Sequence, residues 1–204
     1  MKMEAFDFTT IKQLHEHLCL DFVNSTSNHQ NPSDNYLNSY PDLVSWGLDV
    51  KLLSADEAQR LFGSASQQPE RAAAIHHKAV VLREAIYHIL LDVIHDQTHE
   101  AADLDTLNGI LTEAMSHIRL VVSDGDFGWA WDREVDDLEY IIWRVVWSAS
   151  ELLLSDQVKR IRQCEGCDWL FLDVGRGHKR RWCDMETCGN RAKARRHYLR
   201  TRGK

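Results

Sequence analysis

Four cysteines lie close together near the end of the 204-residue chain, in two pairs. Two residues separate Cys164 from Cys167, four separate Cys183 from Cys188, and fifteen lie between the pairs. Structural zinc binds four thiolates as a tetrahedron, and ligand pairs at such spacings are typical of it. A disulfide framework is typical of small secreted domains, and nothing in the sequence indicates secretion. The cysteines therefore predict one closed, structural Zn²⁺ site.

The segment around these cysteines is strongly basic. From Lys159 to Lys204 there are 14 Lys and Arg residues against 5 Asp and Glu residues, a net charge of +9, whereas the preceding 158 residues have a net charge of −16. This asymmetry indicates a module that binds a polyanion, joined to an acidic body that does not. Arginine suits phosphate because its guanidinium binds in a bidentate manner. The candidate nucleic-acid-binding residues are Arg176, Lys179, Arg180, Arg181, Arg191, Lys193, Arg195, Arg196 and Arg200.

Two other interpretations of the basic surface stay open at this stage. The cations can form a solvated face that offsets the negative charge of a zinc ion with four thiolates, although fewer cations would suffice for that. They can also dock on the acidic body of the same chain or on another acidic protein. Arg191 can point at a thiolate or at a phosphate.

A hairpin and a helix are predicted to hold the cysteines together. A strand over residues 169–173 is expected to turn at 175–177 and to return over 180–182. Residues 189–201 are rich in good helix formers, which predicts a basic helix with Leu199 facing inward. A Cys pair, a hairpin and a helix in this order form the plan of a treble-clef finger.

The acidic body is predicted to be mostly helical. Apolar residues at helical spacing indicate helices over 41–50, from a capping box at Ser54, from Pro69, from about Asp103, and over 136–154. Residues 15–25 fit either a strand or a helix.

A small β-hairpin is predicted inside the body, where 118–122 and 127–131 flank a Ser-Asp-Gly-Asp turn. The tryptophans of this region are expected in the core; they are Trp129, Trp131, Trp143 and Trp147. The fold class is thus mostly α (α+β), with a helical body over 1–157 and a zinc finger over 158–204. We expect metal removal to unfold the finger and to leave the body folded.

The body shows no enzyme motif: it has no phosphate-binding glycine loop, nucleophile elbow or zinc-protease helix. Asp21, Asn24 and Arg83 are polar residues among apolar neighbours, so they either converge on a small-molecule effector or pair with one another. A sensor or oligomerisation role is the better hypothesis for the body, with a homodimer as one arrangement. The most apolar stretch, 140–154, contains two charges and is too short to span a membrane, which favours a cytoplasmic protein.

The stretch RRWCDMETCGNRAKARRH closely resembles the CGNR zinc-finger family of bacterial proteins, named for the residues from Cys188 to Arg191. The resemblance includes Cys164-x-x-Cys167 and WLFLD, but Gly175 stands where the family often has a hydroxyl residue. The body resembles the ABATE domain that usually precedes this finger. The matching pieces are residues 18–25, 42–58, 82–90 and 148–156.

The resemblance implies a stress-induced transcription regulator. We therefore predict a regulator without catalytic residues whose zinc finger binds nucleic acid through a basic helix, DNA being favoured over RNA. The alternative is a non-enzymatic zinc module that binds RNA or an acidic protein partner.

Overall fold

The structure is a computed structural model that describes residues 17–29, 34–123, 126–131, 137–175, 177 and 179–202. Helices dominate it, as predicted. They are α1 (Leu18–Val23), α2 (Tyr40–Asp49), α3 (Ala55–Gln67), α4 (Pro69–His95), α5 (Ala101–Met115), α6 (Tyr140–Leu154) and α7 (Asn190–Arg202). The strands are β1 (Ile118–Ser123), β2 (Asp126–Trp131), β3 (Ile161–Gln163) and β4 (Leu170–Leu172). Among the described residues, no helix is both long enough and apolar enough to cross a membrane.

The long helix α4 is the centre of the body. It begins at Pro69, where the missing N–H of proline costs no helical bond. Ile75, Ala79, Leu82 and Ile86 recur along one stripe and are all buried. The other body helices, α1, α2, α3, α5 and α6, all pack against α4.

The structure tests three of the predicted helix starts. Residues that fit either a strand or a helix form α1, in which Leu20, Phe22 and Val23 are buried. The predicted capping box at the start of α3 is present, with Ser54 and Glu57 bonded reciprocally. The predicted start of α6 at residue 136 lies outside the described residues.

Strands β1 and β2 form the predicted hairpin of the body, paired antiparallel from Ile118↔Trp131 to Ser123↔Asp126. Alternation along the strands gives one wholly apolar face; its members are Ile118, Leu120, Val122, Phe127, Trp129 and Trp131. The base of this face packs on α6, where Trp131 contacts Trp147 at 6.2 Å between ring centroids. The expectation that Trp129 belongs to the core is wrong, since this side chain is 62% exposed.

The short strand β4 is shared between the body and the cysteine-rich segment. Leu170 and Leu172 are buried in the body core, together with Ile161 of β3. Phe171 points to the opposite face, where it packs against the cysteines. The hydrophobic core therefore continues across residue 157, the boundary predicted from the sequence.

Candidate metal centre

The sulfur atoms of Cys164, Cys167, Cys183 and Cys188 converge on one point, all within 4.8 Å of one another. The Sγ atoms of Cys167, Cys183 and Cys188 form a triangle with sides of 3.7 Å. No disulfide joins them, because disulfide sulfurs lie about 2.05 Å apart. A tetrahedral ion about 2.3 Å from each sulfur would separate the sulfurs by roughly 3.75 Å. The four residues therefore fit a zinc-sized ion and can hold a metal.

The knuckle between the first two cysteines depends on a glycine. The N–H of Gly166 donates to Cys164 Sγ at 3.4 Å. A Cβ at Gly166 would lie 3.1 Å from the Cβ of Cys188, so a larger residue would push the second ligand pair away. The backbone N–H of Glu165 donates to the carbonyl of Arg181 at 3.0 Å, which ties the knuckle to the segment before Cys183.

The predicted hairpin of the finger is wrong in its pairing. Residues 180–182 form no strand, and β4 pairs instead with β3, which precedes the first cysteine. The reason is Asp173, a fully buried carboxylate at the end of β4. It accepts the N–H of Gly175 at 2.9 Å and of Arg180 at 3.0 Å, and these side-chain bonds replace a strand ladder.

Cys188 lies in a wide, π-type turn over Met185–Gly189 that leads into α7. The side chain of Asp184 caps this turn by accepting the N–H of Thr187 at 2.8 Å. Asn190 donates to the carbonyl of Glu186 at 3.0 Å. A Cβ at Gly189 would lie 2.9 Å from the sulfur of Met185, so a larger residue would require this exposed side chain to shift.

The side chain of Arg191 points at the metal ligands. Its Nη2 donates to Cys188 Sγ at 3.2 Å. The bond to Cys188 raises the pKa of the guanidinium further above its usual value. The sequence left open whether Arg191 points at a thiolate or at a phosphate. In the structure its side chain points at the sulfur of Cys188.

The thiols of the centre are hydrogen-bonded to one another. Hydrogen bonds from Cys167 and Cys183 hold the pKa of Cys164 far below its usual range, and the bond with Cys164 raises the pKa of Cys167 to about 12. A bound Zn²⁺ would instead hold all four groups as thiolates. The remaining cysteine, Cys19, is fully buried in the body, and burial raises the pKa of its thiol to about 12. Cys19 is therefore a core residue.

Besides Arg191, two further candidate nucleic-acid-binding arginines are engaged within the finger. Arg180 donates to the carbonyls of Trp182 and Cys183 and lies over the ring of Phe171 at 4.9 Å. Arg181 forms a bidentate pair with Glu165. Both guanidiniums stabilise the loop before Cys183, and their role towards nucleic acid stays a prediction.

Helix α7 presents the other candidates to solvent. It contacts the turn over Met185–Gly189, and none of its residues is buried. The prediction that Leu199 packs inward is wrong, since its side chain is 62% exposed. Across the part of the chain that the structure describes, five exposed cations of α7 form no ion pair; they are Lys193, Arg195, Arg196, Arg200 and Arg202. Lys179 is likewise exposed. Arg176 lies outside the described residues.

The three polar residues predicted to converge in the body have separate surroundings. Arg83 is buried and bonds to Glu84, to Ser25 and, at 2.6 Å, to Oδ1 of Asn35. Asn24 faces the finger. Asp21 has no hydrogen bond or ion pair within the described chain, and burial raises the pKa of its carboxyl to about 7. An effector pocket at these three residues therefore stays a prediction.

No pattern in the sequence predicts the contacts between body and finger. Asn24 donates to the carbonyl of Leu170 at 2.8 Å and accepts its N–H at 2.9 Å, so one side chain pairs with β4 as a strand would. Nε1 of Trp169 donates to the carbonyl of Thr26 at 2.7 Å. These partners lie more than 140 residues apart, so no local sequence pattern indicates that they are in contact.

Comparison with known families gives two matches that together span most of the chain. Residues 16–156 match the family model ABATE, described as "Putative stress-induced transcription regulator". Residues 160–201 match the CGNR zinc finger. A search of curated proteins found no match.

Proposed function

The chain belongs to the ABATE family and ends in a CGNR zinc finger, and from this premise we propose that it is a cytoplasmic, non-enzymatic transcription regulator that binds DNA through α7. The observation that carries the proposal is the exposure of the basic side chains of α7. Its five cations without an ion pair lie within three helical turns, from Lys193 to Arg202, exposed and without acidic partners among the described residues.

In this proposal the metal is one structural Zn²⁺ held by the four cysteines. Four protein ligands leave no open coordination position for a substrate or water, which is the arrangement of structural rather than catalytic zinc. The ion fixes Cys188 and thereby the first turn of α7, so metal binding sets the direction in which the basic helix leaves the finger.

Charge separation supports the assignment of binding to the finger. The net charge of +9 lies in residues 159–204, while the −16 of the preceding residues repels polyanions. In the alternative, the basic surface docks on the acidic body of the same chain, so α7 would have to lie on that body. No residue of α7 is buried, which argues against this arrangement.

A salt titration tests the proposal. Binding of zinc-loaded protein to labelled duplex DNA should weaken as salt rises, because each phosphate contact releases counterions. Arg195→Ala or Arg196→Ala should weaken binding to all sequences and flatten the slope of log affinity against log salt by about 0.9. If either residue reads a base, the loss should be about 1–3 kcal/mol and confined to the preferred sequence.

Arg60→Ala provides the matched control, since Arg60 is an exposed arginine on α3 of the acidic body. This variant should bind as the parent does. A zinc-loaded parent without affinity for any DNA at low salt would exclude the proposal, and selective binding of RNA would favour the alternative.

A further inference from the structure

Helix α7 carries an exposed leucine among its arginines. The side chain of Leu199 is 62% exposed and belongs to neither hydrophobic cluster of the described residues. A single exposed leucine is ordinary on a protein surface, but the neighbours of this one are not. Residues three and four positions apart are adjacent on a helix, and for Leu199 these include Arg195, Arg196 and Arg202. Leu199 is therefore an apolar group surrounded by cations.

The arginines beside Leu199 form two rows. At about 100° per residue, Arg195 and Arg202 project roughly 40–60° to one side of Leu199. Arg196 and Arg200 project roughly 60–100° to the other side. The opposite face of α7 has no lysine or arginine; its residues are Asn190, Ala194, His197 and Thr201. The helix thus presents one apolar strip between two cationic rows, and an uncharged back.

We propose that α7 lies in the major groove of duplex DNA, with Leu199 against the C5-methyl group of a thymine. This inference rests on the proposed binding of DNA through α7. The first argument is size. An α-helix with its side chains is about 10–12 Å across, which fits the major groove, about 12 Å wide, but not the minor groove, about 6 Å wide.

The second argument is charge complementarity. Phosphates line both walls of the groove, and the two rows of arginines face both walls when Leu199 points at the floor. The uncharged back of α7 then faces solvent. Contacts to phosphate fix the position and direction of the helix but read no sequence. The arginine rows therefore place Leu199 at the base edges.

The third argument is the chemistry of the groove floor. The apolar group that base pairs offer in the major groove is the methyl group of thymine. Leucine has no polar atom in its side chain, so this methyl group is the contact that complements it. A lipid surface suits α7 less, because a helix that binds lipid needs a continuous apolar face. The other large apolar side chain of α7 is Tyr198, and Arg202 covers its ring at 4.7 Å.

Replacement of thymine by deoxyuridine tests the contact, because deoxyuridine lacks the methyl group and keeps the base pairing. The zinc-loaded full chain first selects its preferred duplex from a random pool. Each thymine of that duplex is then replaced in turn. Affinity should fall about fourfold at a contacted thymine, which corresponds to the burial of one methyl group.

Leu199→Ala identifies the residue that makes the contact. Alanine favours helix at least as well as leucine, so α7 should stay intact. The variant should bind the thymine and the deoxyuridine duplexes equally, because its shorter side chain no longer reaches the methyl group. Its slope of log affinity against log salt should match that of the parent, since no phosphate contact is lost.

Thr201→Ala is the matched control, since Thr201 is exposed on the back of α7 at nearly the same level as Leu199. This variant should discriminate thymine from deoxyuridine as the parent does. A duplex RNA of the same sequence should bind the parent more weakly than the DNA, because the major groove of A-form RNA is too narrow for a helix.

Three outcomes overturn the groove assignment while leaving DNA binding by α7 in place. They are a parent that binds DNA but is insensitive to every thymine replacement, a Leu199→Ala variant that keeps the parent's discrimination, and equal affinity for duplex DNA and duplex RNA. A zinc-loaded parent that binds no DNA excludes both this inference and the proposed function.

Discussion

At the scale of single residues, Arg191 links the metal centre to the basic helix. Its guanidinium donates to the sulfur of Cys188 while its backbone lies in the first turn of α7. A hydrogen bond to a ligand atom stabilises the thiolate form that binds the metal. Arg191 therefore serves the metal centre, whatever further contact it makes with phosphate.

Replacement of Arg191 should weaken metal binding. We expect Arg191→Ala to lower zinc affinity by about tenfold, the low end of such effects, because the side chain is exposed. Competition with a chromogenic chelator measures the affinity. Arg195→Ala, one turn further along α7, serves as control and should retain the parent's zinc affinity. Equal affinities of Arg191→Ala and the parent would show that the bond to Cys188 has no energetic role.

A second residue-scale prediction concerns Asp21, whose carboxyl has a pKa of about 7 in the folded chain because of burial. The folded state holds its proton after the unfolded state has lost it, so the free energy of unfolding should fall as pH rises from about 4 to 7. Asp21→Asn should remove this contribution and stabilise the protein above pH 7, by on the order of 2–4 kcal/mol.

Denaturant unfolding of parent and variant at pH 5 and pH 8 measures the Asp21 effect. The gap in unfolding free energy between the two proteins should widen towards pH 8. Parallel pH profiles of parent and Asp21→Asn would contradict the assignment.

At the scale of elements, β4 illustrates what the sequence can and cannot reveal. The four ligands were predictable because zinc restricts both residue type and spacing. Helix α4 was predictable because its apolar stripe repeats from Ala72 to Leu90. The partner of β4 was not predictable: β3 is three residues long, too short for an alternation pattern. The bonds of Asn24 depend on a fold already formed, since they join residues 146 apart in sequence.

The pairing of Asn24 with β4 should have a measurable energy. Asn24→Ala leaves a buried N–H and a buried carbonyl of Leu170 without partners, and we expect it to lower the free energy of unfolding by about 2–4 kcal/mol. Denaturant unfolding in the presence of zinc measures the loss. Asn38→Ala removes one exposed bond to the carbonyl of Asn35 and should cost less than about 1 kcal/mol. A similar loss in both variants would contradict the role of Asn24.

At the scale of the whole molecule, the shared strand changes the expected response to metal removal. The sequence predicted that the finger would unfold alone. Because Leu170 and Leu172 belong to the body core while Phe171 contacts the cysteines, loss of the metal should loosen both parts. Chelation should therefore speed amide hydrogen exchange in α1 and α4, which contact β4 and β3, as well as in the finger.

With zinc present, Leu172→Ala should likewise speed amide hydrogen exchange in both parts. It should lower the free energy of unfolding by about 2–5 kcal/mol. Val174→Ala, two residues away and 60% exposed, should have little effect. If the exchange rates of α1 and α4 are unchanged by chelation, body and finger are independent units and the shared strand contributes little.

The position of β4 in the chain also determines when folding can finish on the ribosome. Helices α1 to α6 are complete at Leu154, but the body core needs Leu172, which is synthesised about 1–4 s later. Throughout that interval the nascent chain exposes the apolar surface of α1 and α4 that the late strand will cover. A ribosome that stalls between these residues therefore holds a chain that chaperones and proteases can recognise.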